Sequence, residues 1–473
     1  MRFFHSARWL RALSRALLAS AAVCGVAGTA QASVTISDKP TSNMNCSGGV
    51  CTPTAKKANL NVTDLANLLA AGDTRVIADS APKDIEFKAP LSWTSTGRLT
   101  LDSYHSIVFE QPVTVAGAGA LTITTNDGGS GGDFWFEKKG HVEFSDITDS
   151  LIVNGNSYAL VRNIRQLAKG VANNPSAFYA LAKKYNAIKD GTYTQSPVST
   201  LLTGVFEGLG NEISNLSIDD PRDSANVGLF AQSGGLVHNV SLSAVMIIAE
   251  GMDAQAGGLA GSGGNISHSS VAGSVSGSLY AGGLAGLGGT IQYSHSSASV
   301  TTTGFAAGGL VGDSVGTVRH SYATGPVFGG DGSVVGGLMG FEEIEGGLNF
   351  GVYATGAVRG GKNSAVGGLV GSEPLASIES YSTGAVSGDI GSDVGGFYGD
   401  YGSGCLCSNH DYWDIQTSGA TQGTGNEGDV RGVVGLKTAK LKSALPIGFE
   451  PSIWGQKPNV NGGYPYLLEN PPE

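Results

Sequence analysis

The 473-residue sequence carries a formal net charge of −11, with only 14% charged residues and 74 glycines. Its acidic balance argues against nucleic acid as a partner, because binding a phosphate backbone needs clustered Lys and Arg. A hydrophobic share of 41% is enough to fill a sizeable core, so the Gly and Ser content points to an ordered β architecture with many tight turns rather than to disorder.

The chain opens with Arg2, Arg8, Arg11 and Arg15 and has no acidic residue before Asp38. An apolar run from Ala16 to Val26 and the small residues Ala30-Gln31-Ala32 follow. That order is a secretory signal peptide cleaved after Ala32, and its apolar run falls short of the ~20 residues that span a membrane. Cleavage removes four positive charges and no negative ones, making the mature chain still more acidic. No later stretch has spanning length. Export to an oxidising compartment favours disulfides among the four remaining cysteines. The close pairs Cys46–Cys51 and Cys405–Cys407 are the candidate bridges, the second more strained because its ring is so short.

After the first cysteine pair, Thr63 to Leu69 reads as a short helix with Asn61 or Thr63 as N-cap and Gly72 as its end. Such a helix would cover the open end of a solenoid. Short apolar–polar alternations then predict strands at Leu99–Leu101, Ile107–Phe109, Val113–Val115, Leu121–Ile123, Phe134–Phe136, Val142–Phe144 and Leu151–Val153. Between Ala159 and Tyr185 the spacing becomes helical. Leu160, Ile164 and Leu167 share a face, Pro175 interrupts, and Tyr179 to Leu181 resume, which predicts two short helices on the solenoid flank.

The strongest signal is an internal repeat. Gly-Gly-(Leu/Phe)-x-Gly occurs at Gly257, Gly282, Gly308, Gly336, Gly367 and Gly395, in steps of 25, 26, 28, 31 and 28 residues. A second column, Val275, Val300, Val327, Val358 and Val386, keeps nearly the same step, each preceded two residues earlier by Gly or Ala. A third column starts each middle strand at Ile266, Ile291, Val318, Phe350 and Ile378. Three strands of about five residues with three turns take up one coil of about 25 residues. The glycines would serve turns of positive φ. The expectation is an all-β, right-handed parallel β-helix with an N-terminal capping helix and a small helical insertion. Its segments are a signal peptide (1–32), an N-terminal stretch with a Cys pair (33–58), a first solenoid part with the capping helix (59–158), a helical insertion (159–200), a repeat solenoid (201–400) and a closing segment (401–473).

The Gly-Gly-Leu-x-Gly units, each followed by an Ile-x-x-Ser-Tyr-x-x-Gly-x-Val type strand, resemble the GLUG repeats of large bacterial exoproteins of the filamentous haemagglutinin-like, adhesion-related group. Val318 to Val327 and Ile378 to Val386 carry the likeness best. Phe206 to Leu216 resembles the lead-in strand of those proteins, and Tyr412-Trp413-Asp414, Trp454 and Tyr464-Pro465-Tyr466-Leu467 resemble their closing segment. The resemblance implies a secreted or cell-surface adhesin, with periplasmic residence as the other location. Its partners would be a host or neighbouring-cell surface or an extracellular polysaccharide. Ser33 to Asn59 does not read as the secretion module of the largest members, and Glu469 to Glu473 does not read as the end of an autotransporter barrel.

Catalytic patterns are weak. Gly128–Gly132 and Gly312–Gly316 match G-x-S-x-G but lack the strand–turn–helix setting of a nucleophile elbow. Gly128 to Phe136 loosely resembles one calcium-binding Gly-Asp nonapeptide, a chemistry that needs stacked copies. Cys405, Cys407, His410 and Asp411 form a metal-ligand cluster that oxidation of the cysteines would abolish. Glu342, Glu343 and Glu345 read as a solvated corner loop. His268, Tyr293 and His320 fall at equivalent repeat positions, and Tyr322, Tyr353 and Tyr381 form a column one place after the Ser column. Those three tyrosines are either stacked between coils or a glycan-contact face. No cofactor, metal or catalytic set is expected. The function reading is therefore a non-enzymatic adhesin-like binding surface, ahead of a polysaccharide-active β-helix enzyme and a ligand-free matrix component.

Overall fold

The computed structural model describes residues 32–343, 347–372, 376–402, 408–427 and 430–472. The chain winds as a right-handed parallel β-helix of about 13 turns. Cys405, Cys407, Glu345 and residues 1–31, where the signal peptide is expected, lie outside the described residues. Among the described residues no helix is long and apolar enough to cross a membrane.

The first solenoid is built on three parallel stacks. One runs through Ala58–Asn61, Ser33–Ser37, Asp84–Phe87, Ile107–Phe109 and Phe134–Phe136, so the first strand is slotted between two later ones. Cys46 is bonded to Cys51 in the hairpin between Ser37 and Ala58. Helix α1 (Val62–Ala71) starts at Asn61, whose side chain accepts the Thr63 and Asp64 amides, and ends at Gly72. It buries Leu65 and Leu69 against the core of the first solenoid and so closes its open end. Inward ladders such as Leu99–Leu121–Leu151 and Leu101–Ile123–Val153 follow the strands read from the sequence. Each fully buried aliphatic side chain contributes roughly 1.5–3 kcal/mol.

At Asn154-Gly155 the chain reverses. Both residues have positive φ (48° and 80°), which Asn and Gly accept at the tip of a two-residue hairpin. Asn156–Val161 therefore runs antiparallel to Ser150–Val153, while Phe178–Leu181 pairs parallel with it and Val205–Glu207 pairs parallel with Phe178–Leu181. The core changes side of the sheet at the same place. Leu160 and Ala180 belong to the first core, whereas Val161, Tyr179, Leu181 and Phe206 belong to the second. Reversing strand direction and inward normal together, while stacking continues along the same axis, preserves the right-handed winding.

This geometry corrects the two-helix expectation. Only Ile164–Asn173 is an α-helix (α2), capped by Asn163 and burying Ile164, Leu167 and Val171 in the second core. Phe178–Leu181 is a strand, and Leu160 lies in the strand before the helix. Alternate residues there are apolar on both faces because each face meets a different core, and that double burial imitates helical spacing.

In the repeats the Val275–Val300–Val327–Val358–Val386 ladder forms in register. The third column differs from expectation: Ile266, Ile291 and Val318 continue into Asn349 and Ser377, not Phe350 and Ile378. Asn349 faces inward to donate to Glu342, which is fully buried. Glu342 is thus not part of a solvated loop, although Glu343 is exposed. The repeat glycines also serve a different end than expected. None of the Gly-Gly-Leu-x-Gly glycines has positive φ. A Cβ on Gly309 or Gly337 would instead collide with the carbonyl oxygen of the equivalent glycine in the next coil. Positive φ is concentrated at the corner column Asn239, His268, Tyr293, His320, Gly351, Glu379 and His410.

Tyr322, Tyr353 and Tyr381 stack with ring centroids 4.7 and 5.0 Å apart and planes within 5°. They are buried under the closing segment, among Leu441, Phe449, Trp454 and Tyr464. They therefore offer no accessible glycan face. The Tyr381 hydroxyl donates to the Pro465 carbonyl (2.6 Å), while that of Tyr353 is buried without a hydrogen-bond partner. Tyr381→Phe should cost about 1–2 kcal/mol. Tyr353→Phe, which removes an unsatisfied polar atom, should leave the urea midpoint unchanged or raise it. Equal losses from both would contradict this packing.

Candidate functional site at the junction of the two solenoids

The chain reversal sets the flank of the second solenoid against the last coil of the first. On the flank, Glu207 and His238 are partners on adjacent strands, one side of their sheet facing the first solenoid. From the first solenoid come Asp133, Phe134 and Trp135, the last two in the strand Phe134–Phe136. Backbone bonds from Val142 to Leu209 (2.9 Å) and from Phe144 to Ala182 (2.7 Å) fix the two parts together.

His238 is the centre of this contact. Its side chain is 4% exposed, and its Nδ1 lies 2.8 Å from Glu207 Oε2. Glu207 is held in turn by the Leu209 amide (2.8 Å). Asn239 Nδ2, also close to Nδ1 at 3.1 Å, donates to the Phe134 carbonyl. On the other side of the ring, Nε2 approaches Asp133 Oδ2 at 3.3 Å without hydrogen-bond alignment. Burial pulls the His238 pKa down, but the Glu207 and Asp133 carboxylates outweigh it and push it up to about 10. Burial works to raise Asp133, yet His238 holds it below the ordinary carboxylate range. His268, one coil further on, is driven to about 3 by burial and by the neighbouring His238 charge.

Outside this pair the notch opens. A cavity of about 500 Å³ is lined by Asp84, Glu86, His105, Asp133, Trp135, His268, Tyr293 and Glu469, among others. Trp135 stacks on His268 (5.8 Å, 14°), and His268 stacks on Tyr293 (4.8 Å, 11°). The left-handed corner column produces this alignment, with φ of 47° at His268 and 49° at Tyr293. The C-terminal tail straps the rim: Asn470 donates to the Ser294 and His320 carbonyls, and Glu469 lines the cavity beside Tyr293. Burial first, and Glu469 second, push Tyr293 up to about 12.

Asp84, His105 and Ser106 adjoin the same cavity. Their geometry is not that of a relay, because Asp84 Oδ1 (2.8 Å) and Ser106 Oγ (3.0 Å) both meet Nδ1 of His105. A serine nucleophile needs the opposite ring nitrogen. Neither G-x-S-x-G match has a helix after it, and Ser314 is buried in a strand. Asp411 turns inward to accept the Ser380 amide (3.0 Å).

Sequence reasoning singled out His268 and Tyr293 as equivalent corner positions and noted Asp133 only within a Gly-rich stretch. It missed Glu207, His238, Trp135 and Glu469, which converge only because the chain reverses and the tail returns. Asp133 is 105 residues from His238, and no local spacing connects them.

No family model matches the chain, and no curated protein matches it. Among solved structures, the crystal structure of a "putative immunoglobulin A1 protease from Bacteroides ovatus" is similar at a TM-score of 0.42 and 17% identity, over 66% of this chain and 93% of that one. A likeness of that size carries no argument about the chemistry of the notch.

Because the folded pKa of His238 lies above the ordinary value of about 6.5, its contribution to stability is complete below pH 6.5 and is lost as pH approaches 10. In chelator-treated protein, thermal stability should therefore fall between pH 7 and 9.5 more steeply than in His238→Gln. Parallel profiles for the two proteins would contradict a charged His238.

Proposed function

We propose that this chain is an exported, adhesin-like binding protein that takes extracellular saccharide at the notch between its two solenoids. The observation that carries the reading is an aromatic stack beside carboxylates: Trp135, His268 and Tyr293 next to Asp84, Glu86, Asp133 and Glu469 around one cavity. Aromatic rings pack against the apolar faces of sugars, and carboxylates accept their hydroxyl protons. The acidic rim and net charge of −11 disfavour uronate-rich or sulfated chains and favour neutral or amino sugars. Export is supported by the order of charged, apolar and small residues in the leader. The repeat resemblance supports adhesion in place of turnover, with the rigid stack of coils holding the notch away from the surface that displays it.

Trp135→Ala and Tyr293→Ala should each weaken retention on a neutral-glycan panel several-fold, up to about tenfold, since an aromatic ring contact contributes about 0.5–1.5 kcal/mol. Tyr353→Phe, under the closing segment, should leave retention unchanged. Release of new reducing ends would replace the binding reading with a polysaccharide-active enzyme. Retention that survives both ring deletions would move the contact off the notch.

A further inference from the structure

The same junction holds three side chains whose donor atoms converge from the two solenoids. The candidate ligand atoms of Asp133, His238 and His268 all lie within 4.8 Å of one another. His238 Nε2 lies 3.3 Å from Asp133 Oδ2, and His268 Nδ1 lies 3.9 Å from the same oxygen. A tetrahedral ion with bonds of about 2.0–2.1 Å sets its ligand atoms about 3.3–3.4 Å apart, so Asp133 and His238 already have that spacing and the His268 ring must move inward to join them.

The surroundings favour that use of the atoms. His238 Nε2 is buried, has no hydrogen-bond partner and points into the triangle. Its other nitrogen is taken by Glu207, itself fixed by the Leu209 amide. A carboxylate on the far nitrogen is the arrangement that orients metal-ligating histidines and selects their tautomer. His268 is stacked between Trp135 and Tyr293, which fixes its ring plane. Asp133 is part-exposed and, with His268, lines the cavity of about 500 Å³, so a fourth coordination position beside them can open into it.

We propose that Asp133, His238 and His268 form a divalent transition-metal site of the zinc class, with Glu207 as its supporting carboxylate and an open coordination position facing the notch. Two imidazole nitrogens and one carboxylate suit zinc and its first-row neighbours rather than calcium or magnesium, which require oxygen donors. The ion would replace the proton on His238, cross-link the two solenoids and present a water or a ligand oxygen to the cavity. The assignment stands apart from the saccharide reading, because it rests on the donor set and not on what fills the notch.

The test uses the full chain, stripped with EDTA and titrated with Zn²⁺ by calorimetry and with Co²⁺ by visible absorption. One ion per chain is expected, with the intense Co²⁺ bands of four-coordinate N/O ligation. His268→Asn removes one ligand and retains a residue suited to positive φ, as Asn239 shows in the same column. It should weaken Zn²⁺ by 100-fold or more in a chain still folded in EDTA, where the lost ring stacking lowers the melting temperature without metal. Glu207→Gln should weaken it about 10–100-fold. His320→Asn, two coils away on the same corner, should change nothing. Absence of stoichiometric binding in the folded chain, or binding unaffected by both His268→Asn and Asp133→Asn, would overturn the site and leave His238 as a structural ion pair.

Discussion

Everything distinctive about this molecule depends on one sheet that serves two cores. Hydrogen bonding along the solenoid axis demands that each coil pair with the next, and the strand Asn156–Val161 satisfies that demand while running against its predecessor. A reversed strand can continue a right-handed coil only if the core moves to the opposite side of the sheet. The side chains obey: Leu160 faces one core and Val161 the other. The chain consequently leaves the last coil of the first solenoid beside the flank of the second.

That offset is what creates a site. A straight parallel β-helix presents repetitive flanks on which any side chain sees copies of its own neighbourhood. At the junction, residues from four distant parts of the chain meet instead: Asp133 and Trp135, Glu207, His238 with His268 and Tyr293, and the returning Glu469. The buried charge of His238 is tolerable because two carboxylates flank it, and such an ion pair ties the parts together with more directional specificity than net stability. The tail contributes at both ends of its path. It seals the Tyr322–Tyr353–Tyr381 stack and sets Glu469 on the rim of the notch.

The solenoid was legible because its physics is periodic. Val275, Val300, Val327, Val358 and Val386 recur at the coil length, and the pairing places them one above the other. The α1 cap was legible from Asn61 and Gly72. What escaped the sequence was whatever broke the period. The strand Phe178–Leu181 looked helical because both of its faces are buried, and Asn349 displaced Phe350 from the inward column to reach Glu342. The role of the repeat glycines was also misread, since close approach between coils, not positive φ, excludes a Cβ there. Positive φ went to Asn239, His268, Tyr293 and His320, whose side chains then line one edge. The notch was hidden for the plainest reason. Its residues share no local spacing, and only the reversal at Asn154-Gly155 brings them together.

Hydrogen exchange of the intact chain, resolved to the junction amides, addresses the shared sheet most directly. If one sheet runs through both solenoids and the backbone bonds beside it hold them together, the amides of Leu181 and Phe206 in that sheet and of Val142 and Phe144 beside it exchange as slowly as those of Val327 and Val358 inside the repeats. Rapid exchange at the junction amides, with both solenoids still protected, would mean two independently folded units that merely touch, and the account of the notch would fall with it.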